Sequence, residues 1–182
     1  MSPYDAHEGD ESYTGLLGRG RVPKYDRRIE ALGAVDESTA ALGLARAQAR
    51  SPETAKALLQ VQRDLYALMA EIAATPENVE NYRAIDGERV KWLETTIHEF
   101  DLRVNMPFEF IVPGDSIPEA ALDLARTVIR RAERRVVELT HAGDVQNVDL
   151  VRYLNRVSSL CYVLELFENT LAGRERPTLA KD

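Results

Sequence analysis

One amphipathic stretch, residues 122–136, constrains the fold more than any other part of the chain. Its apolar residues recur with the 3.6-residue period of a helix that packs on a core. They are Leu122, Ala125, Ile129, Ala132 and Val136. Beside this stripe Arg126, Arg130 and Arg134 recur at every fourth residue, with Glu133 on the same side. Because like charges at this spacing repel, the pattern indicates either a solvated basic face with local carboxylate partners or a helix edge that binds an anion.

The composition excludes several classes of protein. A chain of 182 residues, 45% hydrophobic and 29% charged, is typical of one globular domain with a sizeable core rather than of a disordered protein. A net charge of −7 argues against non-specific binding to nucleic acid. No apolar run reaches the length of a membrane span, and the single cysteine, Cys161, allows no internal disulfide, so we expect a cytoplasmic protein. Cys161 lies in an apolar helical run, which favours a core residue over a nucleophile.

The hydrophobic pattern predicts five helices and no sheet. They span about 26–50, 51–74, 86–102, 118–142 and 147–172. Ser51, which precedes a proline, and Asp86 are typical helix N-caps. We therefore predict an all-α, five-helix up-and-down bundle, ferritin-like in outline, with a flexible N-terminal arm. The arm would comprise residues 1–25, the bundle 26–173 and a tail 174–182.

Asp36 lies on the apolar side predicted for the first helix. That stripe comprises Ile29, Leu32, Asp36, Ala40, Gly43 and Ala47. Burial of a carboxylate is costly unless it is paired, so Asp36 is expected either to meet an arginine or to lie at the solvated edge of the stripe.

Two segments outside the predicted helices have unusual compositions. Residues 13–24 combine three glycines with Arg19, Arg21 and Lys24, which are the parts of a phosphate cradle, although the same composition also occurs in ordinary loops and there is no Walker pattern. Residues 105–116 are extended between two prolines and apolar, with Phe110 near their centre. We expect this second segment to be buried at a binding site or an interface.

Common catalytic groups are absent from the sequence pattern. None of the three histidines, His7, His98 and His141, belongs to a Glu-x-x-His pair, which disfavours a di-iron site. No arrangement of cysteine or serine with histidine suggests a nucleophile. The remaining features are cationic and aromatic, and they favour binding a polyanion and displacing it by positioning and charge stabilisation.

These motifs together resemble the PduO-type ATP:cob(I)alamin adenosyltransferases. The matching segments, in that family's order, are Gly15–Lys24, Gly33–Glu37, Phe110–Gly114, Leu124–Arg134 and Tyr153–Ser158. The resemblance implies a homotrimer that binds ATP with Mg and cobalamin, as substrates, between adjacent subunits. The implied reaction is attack of cobalt(I) on the ribose 5′ carbon, with inorganic triphosphate as the leaving group. A further partner would be a reductase or an adenosylcobalamin-dependent enzyme. We expect no metal ligand from a protein side chain, and neither nucleic acid nor a membrane as a partner.

The resemblance also implies roles for individual residues. Catalysis would involve Arg130, Phe110, Asp36 and Arg126. ATP would contact Gly9, Asp10, Thr14, Gly15, Lys24, Arg130, Glu133, Arg134 and Asn155. Phe110 would press on the lower face of the corrin, and Asp36 would pair with Arg126 of the partner subunit, these three residues forming the cobalamin site. Arg131 and Arg134 would belong either to the site or to the charge network of the bundle.

The chain departs from the family pattern at several positions. In the arm, Glu8 replaces a threonine and Ser12 replaces a glycine; elsewhere Asp115, Asp123 and Ser159 replace a glycine, a histidine and an aspartate. A carboxylate near a triphosphate is repulsive, and serine lacks the conformational freedom of glycine. The alternatives are therefore a diverged relative that binds corrinoid or nucleotide as a carrier or sensor without efficient turnover, and a structural bundle whose arginines only join subunits.

Overall fold

The computed structural model describes residues 10–181, and its core is a bundle of five α-helices. These are α1 (Arg27–Gln48), α2 (Pro52–Ala73), α3 (Gly87–Asp101), α4 (Ile117–His141) and α5 (Val148–Leu171). A single 3-10 turn, Val79–Asn81, lies between α2 and α3. The five predicted helices are confirmed, with each end within two residues of its expected position.

Local sequence explains where each helix begins. The side chains at the N-caps accept hydrogen bonds from backbone N–H groups of the first turn, which have no partner within the helix. These N-caps are Asp26, Ser51, Asp86, Ser116 and Asn147. At α4 the capping is reciprocal, because Glu119 also returns its carboxylate to the backbone N–H of Ser116.

The centre of the bundle is the contact between α4 and α5. Helix α1 packs on α4 and α2, and α3 packs on α5. The stripe predicted for α4 is confirmed, since Leu122, Ala125, Ile129, Ala132 and Val136 are all fully buried. Cys161 is also fully buried in the core, and burial raises the pKa of its thiol, so the interpretation of Cys161 as a core residue is confirmed.

The prediction of which face of α1 is buried is wrong. The face that packs on the bundle lies one or two positions earlier and consists of small and branched residues: Ala31, Ala34, Val35, Ser38, Leu42 and Ala45. Asp36 is exposed, and Ile29 and Leu32 are only half-buried. Both faces of α1 contain apolar residues, and the alanine-rich face allows the close approach that α4 requires. Asp36 is therefore at the solvated edge within a single chain.

The prediction that the chain contains no sheet is also wrong. Strands β1 (Tyr13–Gly15) and β2 (Arg21–Pro23) form an antiparallel hairpin in which Thr14 is paired with Val22. Strands of three residues are too short to show an alternating pattern in the sequence. The hairpin contacts the end of α2, because Leu17 N donates to Ala73 O at 2.8 Å. Residues 1–9, including Glu8 and Gly9, lie outside the described residues.

The segment between α3 and α4 is not helical, as predicted, but its aromatic side chains are not buried within the chain. Phe110 is 89% exposed, and Phe108 is fully exposed. The segment contacts residues 178–180, which follow α5.

In the described part of the chain, no helix combines the length and the apolar character needed to span a membrane.

Candidate functional site

Helix α4 places its arginines in a row along the surface of the bundle. Arg126 is half-buried and pairs with Asp123 one turn earlier, with Nη2···Oδ1 at 2.5 Å and Nε···Oδ1 at 2.8 Å. Arg130 and Arg134 are exposed, and neither forms an ion pair with any carboxylate of residues 10–181. Of Arg126, Arg130 and Arg134, only Arg126 therefore has a local carboxylate partner among residues 10–181, and the other two cations remain available to an anionic ligand.

A chain of hydrogen bonds joins α4 to α5 and α3 beside these arginines. Asn155 Nδ2 donates to Glu133 Oε1 at 2.9 Å, and Arg156 Nη1 donates to Asn155 Oδ1 at 2.7 Å. Arg156 Nε in turn donates to Glu94 Oε1 of α3 at 2.9 Å. Glu133 lies one turn after Arg130 on α4. The structure therefore brings Arg130, Glu133 and Asn155 into one polar region.

A cleft, which we call the Phe110 cleft, lies next to this region. It is lined by Phe108, Phe110, Ile111, Asp123, Arg126, Tyr162 and Glu165, together with two prolines and Glu109. Its outer wall is aromatic and its inner wall ionic. Since Arg126 precedes Arg130 by about one turn of α4, the cleft and the polar region are continuous along this helix.

Glu165 is a member of this cleft that the sequence analysis did not identify. Its residue is fully buried, and neither carboxyl oxygen has a hydrogen-bond partner in residues 10–181. Burial, reinforced by the nearby Asp123 carboxylate and only partly offset by Arg126, raises the pKa of Glu165 to about 9. The side chain is therefore a neutral acid near pH 7. A glutamate within the apolar run 160–167 was the only sequence signal for it.

The hairpin holds the residues predicted to bind the triphosphate. Thr14 and Gly15 lie in β1, Lys24 is exposed just after β2, and Lys24 N donates to Ser12 O at 2.9 Å. Ser12, the residue that replaces a family glycine, has a φ of 65°, which only glycine adopts without cost. Asp10 lies just before this hairpin and is exposed.

Asp36 lies apart from the polar region around Arg130 and from the Phe110 cleft. It belongs to an open surface, which we call the α1–α2 face, with Leu17, Ile29, Leu32, Tyr66 and Met69 among its apolar members. The neighbouring Glu37 forms an ion pair with Arg131 of α4, so Arg131 belongs to the charge network of the bundle. Within a single chain Arg126 therefore lies near Phe110, and Arg130 lies near Glu133 and Asn155, but neither Asp36 nor the hairpin reaches them.

Residues 10–181 contain no group of three or more His, Cys, Asp or Glu side chains that could hold a metal ion.

Comparison with known proteins identifies relatives of the whole chain. A cobalamin adenosyltransferase from Cupriavidus metallidurans is 36% identical over 174 residues, which cover 95% of this chain and 91% of that protein. The corrinoid adenosyltransferase PduO of Citrobacter freundii is 39% identical over 162 residues, and the chain spans about half of its length (48%). A variant of the PduO-type ATP:corrinoid adenosyltransferase from Lactobacillus reuteri, complexed with cobalamin and ATP, has a TM-score of 0.85 at 27% identity over 97% of this chain and 98% of that chain.

The family model for cobalamin adenosyltransferases matches residues 5–168, from the arm to the end region of α5. The match includes the hairpin, the arginine row of α4, the Phe110 cleft and Asn155. The chain therefore belongs to the cobalamin adenosyltransferase family.

Proposed function

We propose that the chain transfers the 5′-deoxyadenosyl group of ATP to cob(I)alamin, giving adenosylcobalamin and inorganic triphosphate. The observation on which this proposal rests is the continuity of an aromatic cleft at Phe110 with Arg130 and Arg134 on one side of α4, two exposed arginines that pair with no carboxylate of the described residues. A flat apolar macrocycle suits the aromatic wall, and a polyphosphate suits the exposed guanidiniums. Family membership and the relatives described above support the same activity.

In this proposal the protein contributes position and charge. The electron pair of cobalt(I) forms the new bond to the 5′ carbon, and the bond from that carbon to the triphosphate oxygen breaks, so negative charge collects on the leaving group. Arg130 donates to the triphosphate, which enters with Mg, and this interaction strengthens as the charge develops. Phe110 presses on the lower face of the corrin and keeps a base away from the cobalt.

The nucleotide would also contact Thr14, Gly15 and Lys24 of the hairpin region, and Gly9 and Asp10, which precede it in the sequence. Because the hairpin lies on α2 while Arg130 lies on α4, we propose that ATP binds between two subunits of a homotrimer. The exposed apolar α1–α2 face supports an interface of this kind. At this interface Asp36 would meet Arg126 of the partner subunit, in place of or in addition to Asp123 of the same chain.

Sedimentation tests this assembly. Asp36→Asn keeps the shape of the side chain and removes its charge, so we expect a shift from trimer to smaller species. Arg126→Ala is a less specific change, because it also deprives Asp123 of its partner and is expected to cost on the order of 3–5 kcal/mol if the pair is buried in the trimer. An Asp36→Asn variant that remains trimeric with an unchanged melt would contradict the pairing.

The activity is tested by an anaerobic assay with reduced cobalamin and MgATP that follows the loss of cobalt(I) absorption. Arg130→Ala is expected to weaken ATP binding and to lower turnover by about 10²–10³. Phe110→Ala is expected to slow adenosylation while ATP binding stays intact. Arg135→Ala is the matched control, because Arg135 lies on the same helix and pairs with Glu138 at 3.3 Å.

The second candidate function is a carrier or sensor that binds corrinoid or nucleotide without efficient turnover. The positive φ of Ser12 favours it, because the arm holds serine in a conformation that suits glycine. Reverting Glu8→Thr and Ser12→Gly together should then tighten ATP binding in calorimetry. If the unmodified chain binds cobalamin and never converts it, and Arg130→Ala leaves nucleotide binding unchanged, the carrier function replaces the enzyme.

We propose that the chain is one domain with an arm at 1–25, a bundle at 26–173 and a tail at 174–182. We also propose a cytoplasmic location, on the ground that Cys161 is the sole cysteine. As a protein partner we propose a reductase that supplies cobalt(I) or an adenosylcobalamin-dependent enzyme that receives the product.

A further inference from the structure

The chain contains a contact between its C-terminal tail and the segment that bears Phe110, which we call the tail clasp. It joins Phe110 and Val112 to Thr178 and Ala180, with Asp115 as an anchor. Ala180 N donates to Phe110 O at 2.7 Å, and Val112 N donates to Thr178 O at 2.8 Å. Between these bonds Ile111 is paired with Leu179 in an antiparallel bridge. The tail therefore acts as a short partner strand.

Asp115 fixes the tail in this position. Its Oδ2 accepts a hydrogen bond from Thr178 N, and its Oδ1 accepts one from Thr178 Oγ1, both at 2.8 Å. These two bonds hold the pKa of the Asp115 carboxyl below its usual range, so the anchor is ionised at neutral pH. A glycine, which is usual at this position in the family pattern, would offer no side-chain acceptor.

The position of Phe110 depends on this clasp because little else holds it. The ring is 89% exposed and has no core packing that would orient it. Among residues 10–181, the backbone partners of Phe110 O and Val112 N are in the tail alone. Towards α4 the next backbone anchor of the segment is Gly114, whose N–H donates to Glu119 Oε2 at 2.8 Å.

We propose that the C-terminal tail is a positioning element of the corrinoid site, in which Asp115 anchors Thr178 so that residues 178–180 hold Phe110 against the lower face of the corrin. This inference rests on the proposed function for the role of Phe110, and it adds Asp115 and Thr178 as positioning residues. The physical reason is pre-organisation. An aromatic ring on an unrestrained loop would lose conformational freedom each time it engaged the corrin, whereas a clasped segment has lost that freedom on folding.

The first test is structural and does not depend on activity. Asp115→Ala removes both acceptors, and we expect amide hydrogen exchange at Val112 and Ala180 to accelerate by about tenfold or more, the factor that corresponds to one hydrogen bond to a charged group. Asp115→Asn should restore part of the protection, because its amide oxygen still accepts from Thr178 N. Glu175→Ala, an exposed change in the same tail, is the control. Unchanged exchange in Asp115→Ala would overturn the clasp, whether or not the chain is an enzyme.

The second test asks whether the clasp acts through Phe110. With cob(I)alamin and MgATP, Asp115→Ala is expected to slow adenosylation and raise the KM for the corrinoid, with the KM for ATP unchanged. The same change introduced into Phe110→Ala should have no further effect, because the ring that it positions is gone. An equal effect of Asp115→Ala in both backgrounds would overturn the positioning role.

A chain ending at residue 176 gives an independent check by removing the tail strand without altering the Phe110 segment. It should reproduce the kinetic effect of Asp115→Ala, and its failure to do so would also overturn the proposal. If the unmodified chain shows no turnover, the proposed function fails, but accelerated exchange in Asp115→Ala would still establish the clasp.

Discussion

Replacement of the buried acid Glu165 by glutamine is expected to stabilise the protein increasingly as the pH rises above 6. In the unfolded chain a glutamate releases its proton near pH 4.5, whereas burial and the nearby Asp123 carboxylate, against the opposing effect of Arg126, hold the proton on folded Glu165 up to a pKa of about 9. Between these values the folded state binds one proton more than the unfolded state. The favourable contribution of that proton is fully present below pH 4.5 and is lost as the pH rises toward 9.

The magnitude follows from the size of this window. Each pH unit within it lowers the free energy of unfolding by about 1.4 kcal/mol. Between pH 6 and pH 8 the native chain should therefore lose about 3 kcal/mol relative to Glu165→Gln. Glutamine has nearly the shape of the protonated acid and does not titrate, so the pH-dependent part of the difference isolates the ionisation of Glu165.

Urea unfolding at pH 6, 7 and 8, at a fixed protein concentration, measures this difference. Glu99→Gln is the control, because it removes a carboxylate from an exposed position of α3. The control is expected to show a free-energy difference from the native chain that stays constant across these pH values. If the difference for Glu165→Gln also stays constant, the folded protein does not hold the extra proton, and the assignment of Glu165 as a neutral acid is wrong.

Two further predictions concern the hairpin and the core. In Gly18→Ala the new Cβ would lie 1.9 Å from Thr75 Oγ1, at a residue with a φ of 150°, so we expect the hairpin to separate from α2 and calorimetry to show weaker ATP binding. Gly20→Ala is the control for backbone strain alone, because Gly20 has a φ of 108° and its added Cβ would meet nothing within 4 Å. Equal effects of the two substitutions would contradict the role of the contact with Thr75. Tyr153→Phe removes the hydroxyl that donates to buried Asp64 at 2.6 Å, and we expect a loss of about 1–3 kcal/mol in urea unfolding, whereas unchanged stability would mean that Asp64 regains its hydrogen bond elsewhere.

The site could be predicted in part because some of its members lie on one continuous helix. Arg126 and Arg130 are neighbours through the helical period alone, and a family motif indicated that Asn155 belongs with Glu133. The hydrogen bond between Asn155 and Glu133 joins two helices whose packing the local pattern does not specify. Glu165 could not be predicted as a member of the Phe110 cleft, because its pKa depends on burial by segments distant in sequence.

The sequence by itself determined the number and limits of the helices and the core face of α4, because the hydrophobic period and the N-cap residues act over a few neighbouring residues. Only the tertiary structure decided which of two apolar faces of α1 is buried, and it left Asp36 exposed because the alanine-rich face is the one that fits against α4. The tail clasp was decided in the same way. Asp115 and Thr178 are 63 positions apart, and no local pattern specifies a contact between segments that only the packing of α4 and α5 brings together.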